Sequence, residues 1–305
     1  MNRRRFLCLS VATAVCTKVR AEAEAATVPL ISFGVITDVQ YADADPSGER
    51  HYRASLPKLR AAVAELAGGK LVCTLHLGDL IDHDFGSFAA IVPCFQALGH
   101  PVHNLLGNHD CAVADAEKCR VGATLGMPHD YYAFSVSGVR FVMLDSNDVS
   151  TYKYPPGSIQ DREARAVLAP LTAAKANNAQ SWNGGISAVQ LAWLDKELAA
   201  ADAAKEPVIV CGHHPLLPEN GLQVWNSREI LAVLERRSCV CAYLCGHNHG
   251  GAEVIGKGVP CITFKSLLHE PQVTAFSVLR LFKDRLVIEG HGREASRVIA
   301  LRVAE

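Results

Sequence analysis

Five short patches, each directly behind an apolar β-like run, gather residue types that bind cations. They are Asp38-Val39-Gln40, Gly78-Asp79, Gly107-Asn108-His109-Asp110, Gly212-His213-His214-Pro215 and Gly246-His247-Asn248-His249. Patches so far apart in sequence form one site only in a fold that collects strand ends. The loops at the carboxyl ends of an α/β sheet do this, because they share one edge. Glycine before the polar residues is expected to let the backbone turn sharply with no side chain blocking the approach.

The runs between the patches support such a fold. Leu30 to Val39 reads as a buried strand, Arg50 to Leu66 as a helix stopped by Gly68-Gly69, and Leu71 to Leu77 as a second strand. A helix from Phe85 to Leu98 and a strand from Val102 to Leu106 follow, so a mostly parallel core is expected in this half. Tyr131 to Val136 and Val139 to Ser146 read as a hairpin turning at Ser137-Gly138. Leu191, Leu194 and Leu198 mark a helix over Ser187 to Ala200. Further strands are expected at Val208 to Cys211, Cys239 to Cys245 and Val259 to Phe264, with a closing hairpin from Ala275 to Phe282 and Arg285 to Gly290. Asp148 to Asn183 is rich in Pro, Asn and Ser and reads as a loop insertion over the site.

The chain has 305 residues, 49% apolar and 20% charged, which describes an ordinary globular protein. A net charge of −1 leaves no broad basic field for nucleic acid, so phosphate recognition must be local. The first 26 residues stand apart. Arg3-Arg4-Arg5-Phe6-Leu7, an apolar stretch to Cys16, and Ala-x-Ala spacing at residues 21–26 read as an export signal, too short for a permanent anchor, with a disordered basic start on a cytosolic protein as the other reading. The arginine pair before x-Phe-Leu resembles a twin-arginine signal, which engages an export machinery for folded proteins and implies a periplasmic or extracellular address. Residues 27–305 are then the catalytic domain. Of 11 cysteines, nine remain after such a signal, an odd number with no C-x-x-C pair. Most lie in apolar runs, as small buried hydrophobes do, and Cys111 with Cys119 is the pair to test for a bridge.

Imidazole, carboxylate and amide donors without thiolate suit a pair of divalent ions such as Mn, Fe or Zn. Two ions about 3.5–4 Å apart stabilise the attacking and leaving oxygens of in-line displacement at phosphorus, and Asp79 is the candidate bridge. The ordered set D-x-Q, G-D-x-x-D, G-N-H-D, G-H-H-P and G-H-N-H resembles the calcineurin-like metallophosphoesterase superfamily. That resemblance implies a four-layer α/β/β/α sandwich. It also implies that Asp38, Gln40, Asp79 and His249 hold one ion, and that Asp79, Asn108, His213 and His247 hold the other. His109 would stand beside the ions, giving a hydrogen bond to phosphate or a proton to the leaving oxygen. Most members carry histidine where this chain has Gln40, and an amide oxygen favours manganese over zinc; magnesium is also compatible with such a ligand.

Gln40 is shared with a narrower family that the chain resembles, the manganese-dependent ADP-ribose/CDP-alcohol diphosphatases. Arg50 with Tyr52-Arg53-x-Ser55, Asn183-Gly184-Gly185-Ile186-Ser187 before Gln190-Leu191-x-Trp193-Leu194, Val224-Trp225-Asn226 and Gly290-His291-Gly292-Arg293 carry the likeness. It implies hydrolysis of the pyrophosphate of a small nucleotide derivative by a metal-bound hydroxide. The chain is shorter than that family around residues 82–130, which bears on substrate choice more than on chemistry. A phosphomonoesterase or cyclic-nucleotide phosphodiesterase on the same ions is the alternative within enzymes, and a non-catalytic metal-binding scaffold the alternative outside them. A purple acid phosphatase is disfavoured, since Leu80-Ile81-Asp82 offers no tyrosine ligand.

Substrate contacts are expected from four residues. Arg50 and Arg53 would share a helical face able to reach phosphate, with ordinary surface arginines as the other reading. Asn183, in its glycine turn, either shapes a nucleobase pocket or merely stops a loop. His214 either faces substrate or packs. Asp82 and Asp110 read as acceptors that orient histidine ligands or as solvated carboxylates. Trp193 and Trp225 read as core or capping aromatics before base-stacking ones.

Overall fold

The computed structural model describes residues 28–302, so the proposed export segment, residues 1–26, lies outside the described residues. Strands β1 (Ile31–Ile36), β2 (Thr74–His76) and β3 (Val102–Asn104) pair in parallel. Two strands of the other sheet follow as a hairpin, β4 (Tyr132–Val136) and β5 (Val139–Met143). Strands β6 (Val208–Cys211) and β7 (Val240–Cys245) extend that sheet in parallel, and β8 (Ala252–Gly256) and β9 (Val259–Thr263) complete it. The chain then returns to the first sheet as β10 (Ala275–Leu281), β11 (Arg285–Gly292) and β12 (Arg297–Ala300), with β10 antiparallel to β1. The two six-stranded sheets have the orders β12-β11-β10-β1-β2-β3 and β4-β5-β6-β7-β9-β8.

Side-chain alternation explains why the sheets stack. Phe33, Leu75, Phe141, Ile209 and Leu244 face one another across the sheets in a shared core, and Phe33 meets Phe141 edge-on at 5.2 Å. Their neighbours Ile36, Val142, Val208 and Val210 face outward under helices, so strands such as Val208–Cys211 are apolar on both faces. Helix α1 (Ser55–Ala67) covers the first sheet through Leu59, Val63 and Leu66. A solvated helix, α2 (Ile159–Ala173), precedes α3 (Ala188–Ala204) and α4 (Ser227–Glu235), which cover the second sheet through Leu194, Leu198, Ile230 and Leu234. The result is the four-layer α/β/β/α sandwich.

Three elements differ from the sequence reading. Helix α1 starts five residues after Arg50, because the Arg50 N–H and C=O both bond to Ser47. Pro57 marks its first turn, where a missing N–H costs nothing. The stretch from Phe85 to Leu98 is one α-turn, Phe88–Ile91, between 3-10 segments, with Pro93 in the second. Asp148 to Asn183 is not irregular throughout, since it contains α2, capped by Ser158. Cys111 and Cys119 are both free thiols, so the proposed bridge is not formed. Cys73, Cys211, Cys239, Cys245 and Cys261 are buried, and burial pushes Cys73 and Cys261 up to about 12, which leaves them protonated.

A candidate metal centre between two sheets

All five patches arrive at one edge. Asp38 and Gln40 follow β1, Asp79 follows β2 and Asn108 follows β3, all from the first sheet; His213 follows β6, and His247 and His249 follow β7, from the second. Asp38, Gln40, Asp79 and His247 have φ of 50°, 43°, 57° and 63°, a left-handed conformation that turns each side chain inward immediately after its strand. Backbone bonds hold these turns: Asp38 N–H to the Gly78 carbonyl (3.1 Å), Gln40 N–H to the Asp79 carbonyl (2.9 Å) and Leu268 N–H to the Asp38 carbonyl (3.0 Å). Glycine serves close approach more than turning. A Cβ on Gly107 would lie 2.0 Å from Asp79 Oδ1, and one on Gly246 would lie 2.0 Å from Thr37 Oγ1.

Hydrogen-bond partners fix which imidazole nitrogens are free. His213 Nδ1 meets the Leu77 carbonyl at 2.8 Å; a carbonyl only accepts, so Nδ1 carries the proton and Nε2 presents a lone pair. Asn183 Nδ2 donates to the Asn178 and Gly221 carbonyls, so its Oδ1 accepts from His247 Nε2 at 3.1 Å, which leaves His247 Nδ1 bare. Those two bare nitrogens lie 3.2 and 3.0 Å from Asn108 Oδ1, and His213 Nε2 lies 3.4 Å from Asp79 Oδ2. Buried lone pairs aimed at one another call for positive charge. The titration of His213 agrees. Burial alone would lower its pKa, but Asp79, Asp38 and the Leu77 carbonyl outweigh burial and raise it to about 9. Burial, with His214 and His213 alongside, drives His247 far below the usual histidine range.

Asp79 lies at the middle of the cluster. Its Oδ1 accepts from the His109 N–H (2.8 Å), and its Oδ2 from Gln40 Nε2 (2.9 Å). On the far side His249 Nε2 is 3.4 Å from Asp38 Oδ1. Gln40 turns its NH2 toward Asp79 and His249, and its oxygen accepts from Arg50 Nη1 at 3.4 Å. Among the described residues, Asp79, His213 and His247 form a metal-competent trio.

The partners of the acidic neighbours differ from expectation. Asp82 meets His109 Nδ1 at 2.5 Å, so it orients His109 and not one of the candidate ligand histidines. Burial opposes protonation of His109, but Asp79 and Asp82 outweigh it and raise its pKa. Asp110 orients no histidine either. It accepts from the backbone N–H groups of Asp79, Leu80, Ile81 and Gly107, locking the loop that carries Asp79; burial and then Asp79 push its pKa up to about 7.

The cleft above the cluster holds about 580 Å³, within the range of small-molecule sites. Of the four expected substrate contacts, only Arg50 lines it. Arg53 is drawn outward to Asp43 and Asp45, because Arg50 sits in a β-bridge and residues 52–54 form a turn, so the shared helical face does not exist. Asn183 is buried against His247. His214 is buried too, bonded to Ser146 Oγ and the Trp182 carbonyl, and burial followed by the nearby His213 pushes its pKa down to about 3. Sequence reasoning passed over Trp182 and His83, which line the cleft with 47% and 52% of the residue and of the side chain exposed, respectively. Trp182 sits directly before Asn183, so the turn singled out in the sequence was its only signal.

Comparison with known proteins places this geometry in context. The calcineurin-like phosphoesterase family model matches residues 31–251. A manganese-dependent ADP-ribose/CDP-alcohol diphosphatase of Oryza sativa subsp. japonica is 30% identical over 301 residues, covering 88% of this chain and 93% of that protein. The protein of the same name from Mus musculus is 29% identical over 321 residues, covering 90% and 94%. Among solved structures, a dimetal phosphatase from Danio rerio superposes with a TM-score of 0.81 at 27% identity, over 90% of this chain and 100% of that one. A purple acid phosphatase from yellow lupin, with a TM-score of 0.57 at 14% identity over 88% of this chain and 52% of its own, shares the fold alone. By its match across five ordered patches and both sheets, the chain belongs to the calcineurin-like phosphoesterase family.

Proposed function

We propose that the protein hydrolyses the phosphoanhydride of ADP-ribose-like or CDP-alcohol-like nucleotide derivatives with the help of two manganese ions. One observation carries the metal half of this reading: the bare nitrogens of His213 and His247 converge with Asn108 Oδ1 and Asp79 at a buried point. The donor set fits hard divalent cations. Asp38, Gln40, Asp79 and His249 would hold one ion, and Asp79, Asn108, His213 and His247 the other. Two such ions supply Lewis acidity toward the phosphate and lower the pKa of water. The names of the relatives support the substrate half.

The remaining steps belong to side chains. Asp82 holds His109 Nδ1, so His109 Nε2 is the group that protonates the leaving phosphate oxygen. Arg50 stands at the cleft wall, where its guanidinium can pair with a phosphate. To ligate through oxygen, the Gln40 amide must turn over, which sets its NH2 against Arg50 and releases Arg50 toward substrate. Trp182 offers an aromatic face to the base.

The export signal extends the proposal to a periplasmic or extracellular site of action, which cell fractionation of a protein with Arg3 and Arg4 replaced by lysine would test. The function is tested by turnover of ADP-ribose, CDP-choline, cyclic AMP and p-nitrophenyl phosphate by manganese-loaded protein. ADP-ribose or CDP-choline is expected to lead by at least tenfold in kcat/KM. Similar low rates on all four would overturn the diphosphatase reading.

A further inference from the structure

His213 and His247 have their distal nitrogens held by the Leu77 carbonyl and by Asn183. His249, the third imidazole of the cluster, has a different support. Its Nδ1 lies 2.9 Å from Nε2 of His269, with the rings edge-to-face at 4.8 Å. No motif marked His269, and nothing in the sequence reading gave it a role.

Resting on the two-ion reading above, we propose that His269 is a positioning residue that acts through His249. For His249 Nε2 to offer a lone pair beside Asp38 Oδ1, its Nδ1 must carry the proton and donate it. His269 Nε2 is the acceptor, so His269 is protonated at Nδ1, the nitrogen that faces Glu49 Oε2 at 3.5 Å. The proton positions are therefore consistent along the whole row, from the cluster to the surface. Glu49 is 86% exposed, so it biases the tautomer weakly and His269 carries most of the constraint.

The fold invests in holding this ring still. Residues 266–270 are fastened from three sides. Leu267 N–H donates to the Thr37 carbonyl (3.2 Å) and Leu268 N–H to that of Asp38 (3.0 Å), so the segment also buttresses the loop of a candidate ligand. The buried Lys58 ammonium reaches four successive carbonyls, those of Leu267, Leu268, His269 and Glu270. Arg293 bonds the Ser266 carbonyl at 3.0 Å. An ammonium buried against four backbone carbonyls, with no carboxylate of the described residues in a salt bridge to it, has the ordering of this loop as its evident use. His269 thus stands to His249 as Asn183 stands to His247. Such outer partners typically govern metal affinity by 10–100-fold.

The test uses full-length, metal-stripped protein titrated with manganese by calorimetry and by electron paramagnetic resonance. Two variants are compared with the parent: His269→Leu keeps the volume and removes the acceptor, and His269→Gln restores an amide oxygen that can accept. The parent is expected to bind two ions and to show a spin-coupled spectrum. His269→Leu is expected to weaken one of the two ions by about 10–100-fold and, at intermediate manganese, to show the six-line spectrum of an isolated ion. His269→Gln should recover most of that affinity. A His269→Leu variant that binds both ions as tightly as the parent would overturn the assignment, and so would a His269→Gln variant as weak as His269→Leu, because a merely structural ring would give that equality. Failure of the parent itself to bind two ions would instead overturn the two-ion reading.

Discussion

His76 is sealed in β2 beside Asn104, and among the described residues neither its ring nitrogens nor Asn104 Oδ1 has a hydrogen-bond partner at ordinary length. Burial, its largest influence, lowers its pKa to about 4. Between pH 6.5 and 4 the unfolded chain therefore takes up a proton that the folded chain refuses, and stability falls as pH drops through that window. His76→Leu should leave stability at pH 7 equal or raised by about 1 kcal/mol, and should remove roughly 2 kcal/mol of the loss seen at pH 5. Urea unfolding at both pH values checks this; an identical pH 5 deficit in parent and variant would refute it. His109 gives a catalytic counterpart. His109→Ala should reduce kcat by about 10²–10⁴ while manganese stoichiometry stays at the parent value. Because Asp82 helps raise the His109 pKa, Asp82→Asn should move the alkaline limb of kcat/KM to lower pH, and an unmoved limb would separate the limb from His109. Five patches in a fixed order, more than any one residue, made the candidate ligands legible in the sequence, since glycine beside a single Asp, Asn or His is ordinary turn composition. Asp82 was legible as an acceptor for some histidine, but which side chain pairs with which was not. Asp82 on His109, Asn183 on His247 and His269 on His249 are pairings 27, 64 and 20 residues apart, set by how loops cross and not by local pattern.

Among elements, α2 and α3 make a controlled pair. Ser158 and Ser187 cap them in the same way, each accepting from a backbone N–H three residues on. Helix α3 buries Leu194, Leu198 and Ala201 in the outer core, whereas α2 buries only Asp161 and Ala164. Ser187→Ala should therefore lower global stability by about 1 kcal/mol. Ser158→Ala should speed amide exchange within residues 159–173 without moving the melting temperature, because that helix opens locally. Equal shifts in melting temperature would contradict this. The same contrast explains what the sequence revealed. Strands and helices with a buried stripe announced themselves by period, and α3 and most strands of both sheets were read correctly, whereas β8 and β12 were not. Helix α2 has almost no buried face, so no stripe betrayed it. Strand β12 (Arg297–Ala300) alternates in burial but is only four residues long, too short to stand out. The start of α1 was misplaced because Arg50 spends its backbone bonds on Ser47, a tertiary choice that propensity does not record.

The whole molecule places its cluster on the seam between two sheets, with Asp38, Gln40, Asp79 and Asn108 from one side and His213, His247 and His249 from the other. Ions bound there would staple the layers together. Saturating manganese should raise the melting temperature and a chelator should lower it, by about 2.7 kcal/mol of stability for each ion at free metal 100-fold above its Kd. A melting temperature indifferent to manganese would place the ions, if any, outside the seam. In the proposed centre, distant patches cage two cations that share Asp79. Its most direct test is anomalous diffraction from crystals of manganese-loaded protein. The expected result is two peaks about 3.5–4 Å apart, with the Asp79 carboxylate between them and His213, His247 and His249 in contact. A single peak, or a pair that Asp79 does not touch, would contradict the account.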